Sequence, residues 1–350
     1  MINRRKTRQV RVGGVKIGGG APISIQSMAK VETADVKACV FQIKKLEAAG
    51  CEIVRVAVKS AEDAEAIKGI KRKVKIPLVA DIHFNYRLAL SAIKSGADKI
   101  RLNPGNIRIK GEIGEVVNAA KRAKIPIRIG VNSGSIYTKD GRRKTNDALV
   151  NSAIQYIKLF EDMDFRDIII SLKASDVVTT VEAYRKISGV CDYPLHLGVT
   201  AAGPYDYGIV KSSIGIGALL AGGIGDTIRV SLTADPVEEV IAAKRIMSSL
   251  GLRHFGPEII SCPTCGRCQV DLVKIVAELE NILYAKRCPL NAKTPLSIAI
   301  MGCEVNGPGE AKGADIGIAF GKKSGILFKK GKVLKKVAVK KAVEELLRNF

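Results

Sequence analysis

The sequence contains no tryptophan and few aromatic residues of any kind. Phe, Tyr and Trp together make up 5% of its 350 residues. Proteins that bind single-stranded nucleic acids usually stack bases on aromatic side chains, so this composition argues against such a surface. Apolar runs are also short, and none approaches the ~18 uninterrupted apolar residues of a membrane-spanning helix. The basic start is not followed by the apolar region of a signal peptide, so we expect a cytoplasmic protein.

Acidic residues are scarce relative to basic ones. The chain has 34 Asp and Glu against 57 Lys and Arg, which gives a formal net charge of +23. Such a charge favours anionic partners, namely nucleic acids, phosphorylated metabolites or acidic proteins. A lysine-rich surface that serves solubility alone is the alternative explanation. The sequence also lacks a glycine-rich fingerprint for NAD or flavin binding, so electrons for any redox step are expected from a partner protein.

A repeated strand–helix unit fills the first 250 residues. A short hairpin is predicted over 8–17, and its glycine pair supplies the turn. Strands are predicted at 23–29, 52–58, 76–82, 99–104, 125–132, 167–175, 194–203 and 226–234. Amphipathic helices lie between them, for example over 34–50, 146–164 and 236–251, with apolar residues at helical spacing. Eight such units predict a (β/α)8 TIM barrel, and a doubly wound open sheet is the alternative.

The repeated strand–helix pattern ends near residues 251–257. The remaining segments alternate strand-like and helical patterns without the regular unit, and they include a helix predicted over 270–286. We therefore predict an α/β protein with two domains. Residues 1–252 form a TIM-barrel substrate-binding domain with its N-terminal hairpin, and residues 253–350 form a small α+β domain.

Five predicted strands carry a cation between aliphatic residues. These are Arg55, Arg101, Arg128, Lys173 and Arg229. A guanidinium packed among helices would be a costly unpaired charge, whereas one that points into the barrel near its C-terminal mouth would line the usual active site of this fold. Near the mouth we find mainly Asp81 and Asp176 to balance them. The excess of positive charge predicts a phosphate or diphosphate site.

Further polar residues end strands at the same mouth. They include His83, Asn103, Asn106, Asn132, His196, Thr200 and Ser231. His196 lies in mid-strand and is better explained as a satisfied core residue. The convergence of several strand ends is the stronger indication of a site.

Four of the eight cysteines lie in two short segments. Cys262, Cys265 and Cys268 form a C-x2-C-x2-C run, and Cys303 follows an apolar run 35 residues later. This spacing suits either zinc or an iron–sulfur cluster, and spacing alone does not choose between them. The other four cysteines are predicted to be packing residues: Cys39, Cys51, Cys191 and Cys288.

Taken together, these motifs resemble the family of 4-hydroxy-3-methylbut-2-enyl diphosphate synthases of the non-mevalonate isoprenoid pathway. The resemblance runs in unbroken order from about residue 5 to 345, through ADIHF, IRLNPGN, IRIGVNSGS, HLGVT, CPTCGRC and MGCEVNGPGE. It implies a two-electron reductive dehydration that opens the ring of 2-C-methyl-D-erythritol 2,4-cyclodiphosphate. It also implies a ferredoxin or flavodoxin as electron donor, and a homodimer in which the cluster domain of one chain covers the barrel of the other.

The resemblance also assigns roles to residues. It implies a [4Fe–4S] cluster held by Cys262, Cys265, Cys303 and Glu310, while Cys268 falls where the family requires no cysteine. The implied substrate-binding residues are Arg55, His83, Arg101, Arg128, Asn132, Lys173, Thr200, Arg229 and Ser231. The residues expected to act in catalysis are Asp81, Asn306 and Glu310.

One position departs from the family pattern. The loop after the seventh strand reads T-E-A-G in the family, where the glutamate acts on the substrate hydroxyl, but here it reads Thr200-Ala201-Ala202-Gly203. Alanine cannot move a proton, and the loss of one general acid–base group typically slows a reaction ~10²–10⁴-fold. We therefore expect weakened activity unless Asp81 or Asp206 takes over this role.

Two rival functions follow from the same features. The first is a non-redox barrel enzyme that acts on a sugar phosphate and has a structural zinc lobe. The second is a basic, zinc-bearing nucleic-acid-binding protein. The metal content of protein purified without oxygen distinguishes both rivals from the iron–sulfur enzyme.

Overall fold

The computed structural model describes residues 2–103, 106–107, 109–135, 146–285 and 296–349. The chain divides into two compact units, Met1–Arg253 and His254–Phe350. Within the described ranges no helix is both long enough and apolar enough to cross a membrane. The cytoplasmic location stays a prediction.

The first unit is a parallel β-barrel. Its strands are β3 (Ser24–Met28), β4 (Ile53–Val58), β5 (Leu78–Ile82), β6 (Lys99–Leu102), β7 (Ile127–Asn132), β8 (Ile168–Lys173), β9 (His196–Leu197) and β10 (Thr227–Ile228). They are hydrogen-bonded in the order β8-β7-β6-β5-β4-β3-β10-β9. A parallel bridge between Ile170 and Leu195 joins the two ends of this order. The predicted TIM barrel is therefore confirmed, and the open sheet was the wrong alternative.

Among the residues that the structure describes, eight helices surround the barrel. They are α1 (Val36–Ala49), α2 (Ala61–Lys71), α3 (Tyr86–Lys94), α4 (Lys110–Ala123), α5 (Asn146–Asp162), α6 (Val177–Val190), α7 (Tyr205–Ala221) and α8 (Pro236–Ser249). Helix α1 shows why these segments are helical. The Asp35 side chain accepts a hydrogen bond from the N–H of Ala38, and Gly50 ends the helix in the left-handed conformation. Its apolar face is buried against the strands, which stabilises the barrel by roughly 1.5–3 kcal/mol per large side chain.

A hairpin seals the N-terminal end of the barrel. Strands β1 (Val10–Val12) and β2 (Val15–Ile17) pair in antiparallel fashion, as predicted. Their buried side chains pack against three strand residues of the barrel, Ile53, Val79 and Ile169. Because this end is filled by apolar side chains, ligands have access only at the other end, where the strands terminate.

Two barrel strands are much shorter than the sequence predicted. Regular pairing in β9 and β10 covers two residues each, whereas the predictions spanned 194–203 and 226–234. At Gly198 a β-carbon would overlap the backbone carbonyl of Arg229. The two segments thus approach each other too closely beyond Leu197 for ordinary side chains, and the chain continues there as loops.

The second unit contains a five-stranded sheet. Its strands are β11 (Glu258–Ser261), β12 (Ser297–Met301), β13 (Ile316–Phe320), β14 (Ser324–Lys329) and β15 (Lys332–Ala338), in that order across the sheet. The first three are parallel, and the last two are antiparallel to their neighbours. Helices α9 (Leu272–Ala285), α10 (Gly307–Gly313) and α11 (Ala342–Asn349) complete the unit. Its core includes Leu279, Ile318 and Phe320.

Candidate active site

The barrel interior is lined with positively charged side chains. Arg101, Arg128 and Lys173 are buried, as predicted from their positions between aliphatic residues. Arg55 and Arg229 are mostly buried, with 12% and 13% of their side chains exposed. Alternate residues of a strand point to the same side, which brings cations from several strands into one space. The interior therefore carries a concentrated positive charge.

One carboxylate at the centre of this charge is Asp81, on β5. Its Oδ1 lies 3.0 Å from Nη1 of Arg101, and its Oδ2 lies 3.5 Å from Nε of Arg55. His83 is 46% exposed, with its Nε2 3.7 Å from the same carboxylate. Burial alone would raise the pKa of Asp81, but the two arginines and His83 hold it well below its ordinary value. Asp81 is therefore anionic at neutral pH.

The catalytic role of Asp81 stays a prediction, and its contacts favour charge pairing over proton transfer. A carboxylate with so low a pKa has little tendency to take up a proton near pH 7. Burial in turn lowers the pKa of Arg55 to about 10, although Asp81 opposes that shift. Arg55 still keeps its charge at neutral pH. Asp81 thus fixes two cations in place at the mouth.

The second carboxylate at the mouth is Glu239, which the sequence analysis missed. Its side chain is buried in the first turn of α8. Both oxygens accept hydrogen bonds from Arg229, at 3.2 Å from Nε and 3.1 Å from Nη2. Lys30 Nζ lies 3.1 Å away, and the Leu232 N–H and the Ser27 hydroxyl also donate to this carboxylate. Glu239 therefore holds Arg229 and Lys30 together.

The expectation that Asp176 balances the cations was wrong. Its side chain is exposed and accepts a hydrogen bond from the N–H of Thr179 at 2.6 Å, so it caps helix α6. The hydrogen-bonded backbone also lowers its pKa. Glu239 could have been suspected because it lies in the first turn of the helix that follows the last barrel strand, at the end of the barrel where active sites of this fold lie.

Three interior cations have no carboxylate bound to them in the part of the chain that the structure describes. Burial lowers the pKa of Lys99, Arg128 and Lys173 well below their ordinary values, and neighbouring arginines lower them further. Lys99 contacts Gln26 Oε1 at 3.2 Å, and Lys173 contacts His196 Nε2 at 3.4 Å. Lys99 was not singled out in the sequence, although its spacing of two from Arg101 places it on the inner face.

Arg128 is the most exceptional of these cations. It is only 1% exposed, and its Nε and Nη1 atoms have no hydrogen-bond partner within the described ranges. An unpaired buried guanidinium is unfavourable unless an anion accompanies it. Guanidinium N–H groups are well suited to donate to the oxygens of a phosphate group. The arrangement is therefore suited to a multiply charged phosphate ligand.

The other predicted mouth residues lie around these cations. Asn132 ends β7, and its amide oxygen accepts from Nη2 of Arg101 at 3.2 Å when the amide is oriented to satisfy its neighbours. The hydroxyl of Ser231 accepts a hydrogen bond from Arg229 at 2.5 Å. Thr200 is partly buried and its N–H donates to the carbonyl of Ala174. His196 is fully buried, and burial among cations lowers its pKa well below the ordinary value.

The cysteine segments of the second unit lie at one edge of its sheet. Cys262 follows β11 and Cys303 follows β12, and these strands are parallel neighbours. The Sγ of Cys262 accepts a hydrogen bond from the N–H of Gly302 at 3.3 Å. A β-carbon at Gly302 would overlap Sγ of Cys268 and touch that of Cys262, so only glycine fits between these thiols. The structure therefore brings the two segments together.

Cys303 has the environment of a metal-binding thiolate. Backbone N–H groups of Asn306, Val305 and Gly307 surround its sulfur and lower its pKa, and Arg267 contributes. Cys268 instead contacts the Val270 carbonyl with its own thiol, at 3.2 Å. The local contacts thus favour Cys303 over Cys268 as a ligand.

The remaining predicted ligands are open to solvent. Cys265 is exposed, and Asn306 and Glu310 are exposed at the beginning of α10. Among the described residues, no three His, Cys, Asp or Glu side chains converge on a single point that would hold one metal ion. Cysteine thiolates are the usual ligands of iron–sulfur clusters, and the contacts of Gly302 with the sulfurs of Cys262 and Cys268 bring the two cysteine segments together. The donor set therefore fits the implied cofactor.

The predicted packing cysteines behave as expected where the structure describes them. Cys39 and Cys51 are buried, and burial raises the pKa of their thiols to about 11 and about 12. Cys191 is partly buried. Cys288 lies outside the described residues.

Comparison with known proteins gives matches to both units. Residues 7–244 match the GcpE TIM-barrel domain, and residues 258–350 match the GcpE protein C-terminal domain. A protein of Thermodesulfovibrio yellowstonii is 56% identical over 100% of this chain and 99% of its own length. One of Fusobacterium nucleatum is 57% identical over 98% of this chain and 96% of its own. Both are named 4-hydroxy-3-methylbut-2-en-1-yl diphosphate synthase (flavodoxin).

Solved structures resemble the barrel in fold alone. Dihydropteroate synthase from Stenotrophomonas maltophilia matches with a TM-score of 0.54 and 15% identity, over 69% of this chain and 98% of its own. The Yersinia pestis dihydropteroate synthase matches with a TM-score of 0.51 and 10% identity, over 69% and 98% of the two chains. These similarities support the TIM-barrel architecture and say nothing of the reaction.

We predict that Glu239→Gln lowers the free energy of unfolding of the barrel by about 3 kcal/mol, because it leaves Arg229 and Lys30 without their shared counter-charge. Chemical denaturation measures this change. Glu238→Gln is the matched control one position earlier, where the partly buried side chain accepts a single hydrogen bond from Tyr205, and we expect a change within about 0.5 kcal/mol. Equal and small effects of the two substitutions would contradict the role of Glu239.

Proposed function

The chain belongs to the GcpE family over both of its units, and from this premise we propose that it catalyses the reductive ring opening of 2-C-methyl-D-erythritol 2,4-cyclodiphosphate. The product is 4-hydroxy-3-methylbut-2-enyl diphosphate. The reaction breaks the ring carbon–oxygen bond to the diphosphate and the carbon–oxygen bond of the neighbouring hydroxyl, and a carbon–carbon double bond forms between the two carbons. It takes up two electrons and two protons, and the hydroxyl leaves as water. The single observation that carries the proposal is the buried guanidinium of Arg128, whose Nε and Nη1 have no hydrogen-bond partner among the residues that the structure describes.

We propose that the interior cations and their neighbours hold the cyclic diphosphate. The residues are Arg55, His83, Arg101, Arg128, Asn132, Lys173, Thr200, Arg229 and Ser231. A diphosphate anion would offset the buried positive charge that Asp81 and Glu239 leave uncompensated. The same cations would stabilise negative charge that develops on the diphosphate oxygen when the ring opens, because they are already oriented and shielded from water.

The second unit would hold the redox centre. We propose Cys262, Cys265, Cys303 and Glu310 as its ligands, with Cys268 outside the set. When bound, a [4Fe–4S] cluster would supply low-potential electrons to the carbon–oxygen bond. The backbone N–H groups around Cys303 lower the pKa of its thiol and would stabilise the negative charge of a thiolate ligand. Asn306, which precedes α10, would contact the substrate from the side of the cysteines.

Electrons would come from a separate protein. The relatives are named as flavodoxin-dependent enzymes, so we propose a flavodoxin as the donor and a ferredoxin as the alternative. We further propose a homodimer in which the second unit of one chain covers the barrel of the other. Such a cover would exclude water while the substrate is reduced.

In this chain Ala201 replaces the family glutamate, so another residue has to supply the proton. Ala201 is exposed and adopts a left-handed backbone with φ of 49°. Asp81 is engaged with two arginines, and its low pKa makes it a poor donor. Asp206 is exposed in the first turn of α7. Among the two proposed substitutes, Asp206 is therefore the better candidate for proton transfer.

The proposed function predicts a loss of activity in Arg128→Met. Protein purified without oxygen should be brown, contain about four iron and four sulfide per chain, and turn over the cyclodiphosphate with a reduced flavodoxin. Arg128→Met should lower kcat/KM by at least about 30-fold, since removal of a buried charge contact typically costs 2–5 kcal/mol. Arg11→Met, on the exposed face of the hairpin, is the control. A colourless zinc protein, or turnover that survives Arg128→Met, would contradict the proposal.

Substitution of the proposed ligands should have unequal effects on the cluster. Glu310→Ala should reduce the iron content and the visible absorbance of anaerobically purified protein more than Cys268→Ser does. The thiol of Cys268 is engaged with the Val270 carbonyl, so its loss should leave the cluster in place. If Cys268→Ser bleaches the protein and Glu310→Ala does not, the ligand assignment is wrong.

Ala201→Glu should increase turnover by up to about 10²–10⁴-fold if the family glutamate acts as a proton donor. The backbone at this position already accommodates a β-carbon, and the side chain is exposed, so the longer residue fits. Steady-state kinetics measures the change, and Ala201→Gln is the control that adds the same bulk without an ionisable carboxyl group. Equal rates for the two variants would show that another residue supplies the proton.

A further inference from the structure

We propose that the cysteine-bearing edge of the second unit is the docking surface for an acidic electron-carrier protein of the flavodoxin class. The inference rests on the proposed function and adds the place where the donor binds. The surface is defined by four exposed lysines, called here the cysteine-edge lysines: Lys322, Lys323, Lys340 and Lys341.

The topology of the sheet brings the first two of these lysines next to the cysteine segments. Strands β11, β12 and β13 are parallel, so Cys262, Cys303 and the β13–β14 turn all leave the sheet at the same edge. A β-carbon on Gly321 would lie 3.1 Å from the carboxylate of Glu304, the residue after Cys303. Lys322 and Lys323 follow Gly321 directly. They therefore lie beside the cysteine segments.

The other two lysines reach the same edge from β15. Strand β14 begins at Ser324, which is paired with Ala338 at the end of β15. A 3-10 turn over Val339–Lys341 follows at once. The opposite end of this strand pair carries Lys330 and Lys332, roughly 17 Å away at about 3.3 Å per residue. That distance exceeds the ~8 Å screening length at physiological salt, so the two ends act on a partner separately.

Acidic residues offset part of the charge elsewhere on this strand pair. Asp315 lies near Lys330 at the far end, and Lys335 in the middle of β15 forms an ion pair of 2.6 Å with Glu345. None of the cysteine-edge lysines has an ion pair with any residue that the structure describes. Arg267 adds a further cation near Cys303, while Glu304, Glu310 and Asp271 are acids in or next to the cysteine segments. An excess of positive charge remains there.

The size and chemistry of this edge fit a protein partner. The lysines are spread over the ends of β13, β14 and β15, and neighbouring strands lie about 4.8 Å apart, so the patch is wider than a single phosphate group. Val305 is 63% exposed among these charges, and Cys265 is exposed as well. Small interfaces of electron-transfer partners combine such a charged rim with a few apolar contacts. Oppositely charged rims mainly increase the association rate.

The test compares two double variants that remove the same charge. Lys322→Gln with Lys323→Gln alters the cysteine edge, and Lys330→Gln with Lys332→Gln alters the far end. Binding of a recombinant bacterial flavodoxin is followed by its FMN fluorescence at low and high salt, which requires no turnover. The first variant should weaken binding by about tenfold at low salt, the second by less than about twofold, and the difference should vanish at high salt.

Two binding results would overturn the docking site. One is unchanged binding in the cysteine-edge variant, and the other is equal weakening in both variants, which would mean that only net charge matters. Turnover with reduced methyl viologen tests the proposed function separately, because this small cationic donor gains nothing from lysines. A cysteine-edge variant that keeps its viologen-driven rate but needs more flavodoxin supports docking. A matching fall in the viologen-driven rate would assign the lysines to the substrate or the fold and overturn the proposal.

Discussion

The excess of positive charge inside a closed barrel is the constraint on which the first unit depends. Strand alternation directs Arg101 and Arg128 inward, and closure of the sheet removes them from water. Asp81 and Glu239 compensate part of this charge and fix the arginines that surround the mouth. The remainder disfavours the empty state and favours a multiply charged anion. The buried cations thus provide both the attraction for the anion and the geometry of the site.

Regular features of the fold could be predicted because they depend on local periodicity. Eight units with alternating strand and helix patterns were sufficient for the barrel, and the inward direction of Arg101 followed from its aliphatic neighbours. The partner of Arg229 could not be predicted in this way. Asp176 and Glu239 both follow a strand end, but the former begins its helix and caps it, whereas the latter lies one turn further and points to the barrel. Only the packing of the two helices against the barrel distinguishes the roles of Asp176 and Glu239.

The cysteine site shows a second limit of sequence spacing. The regular C-x2-C-x2-C run made Cys268 as attractive a ligand as Cys265, and only the family resemblance argued against it. In the structure the Cys268 thiol contacts the Val270 carbonyl and lies against Gly302, whereas Cys303 is surrounded by backbone N–H groups. Backbone contacts of this kind depend on how the loops after β11 and β12 pack against each other. The spacing of cysteines along the sequence does not determine that packing.

The net charge of +23 therefore includes two groups of cations that differ in their exposure to water. Those inside the barrel are desolvated, and salt screens buried charges only weakly, so their attraction for a phosphate group persists at high ionic strength. The lysines of the second unit are hydrated, and their attraction for an acidic protein falls as salt is added. A substrate must be held through a chemical step, while a carrier must leave after each electron. The interior cations are suited to tight binding of a substrate, and the surface lysines are suited to weak, reversible binding of a carrier.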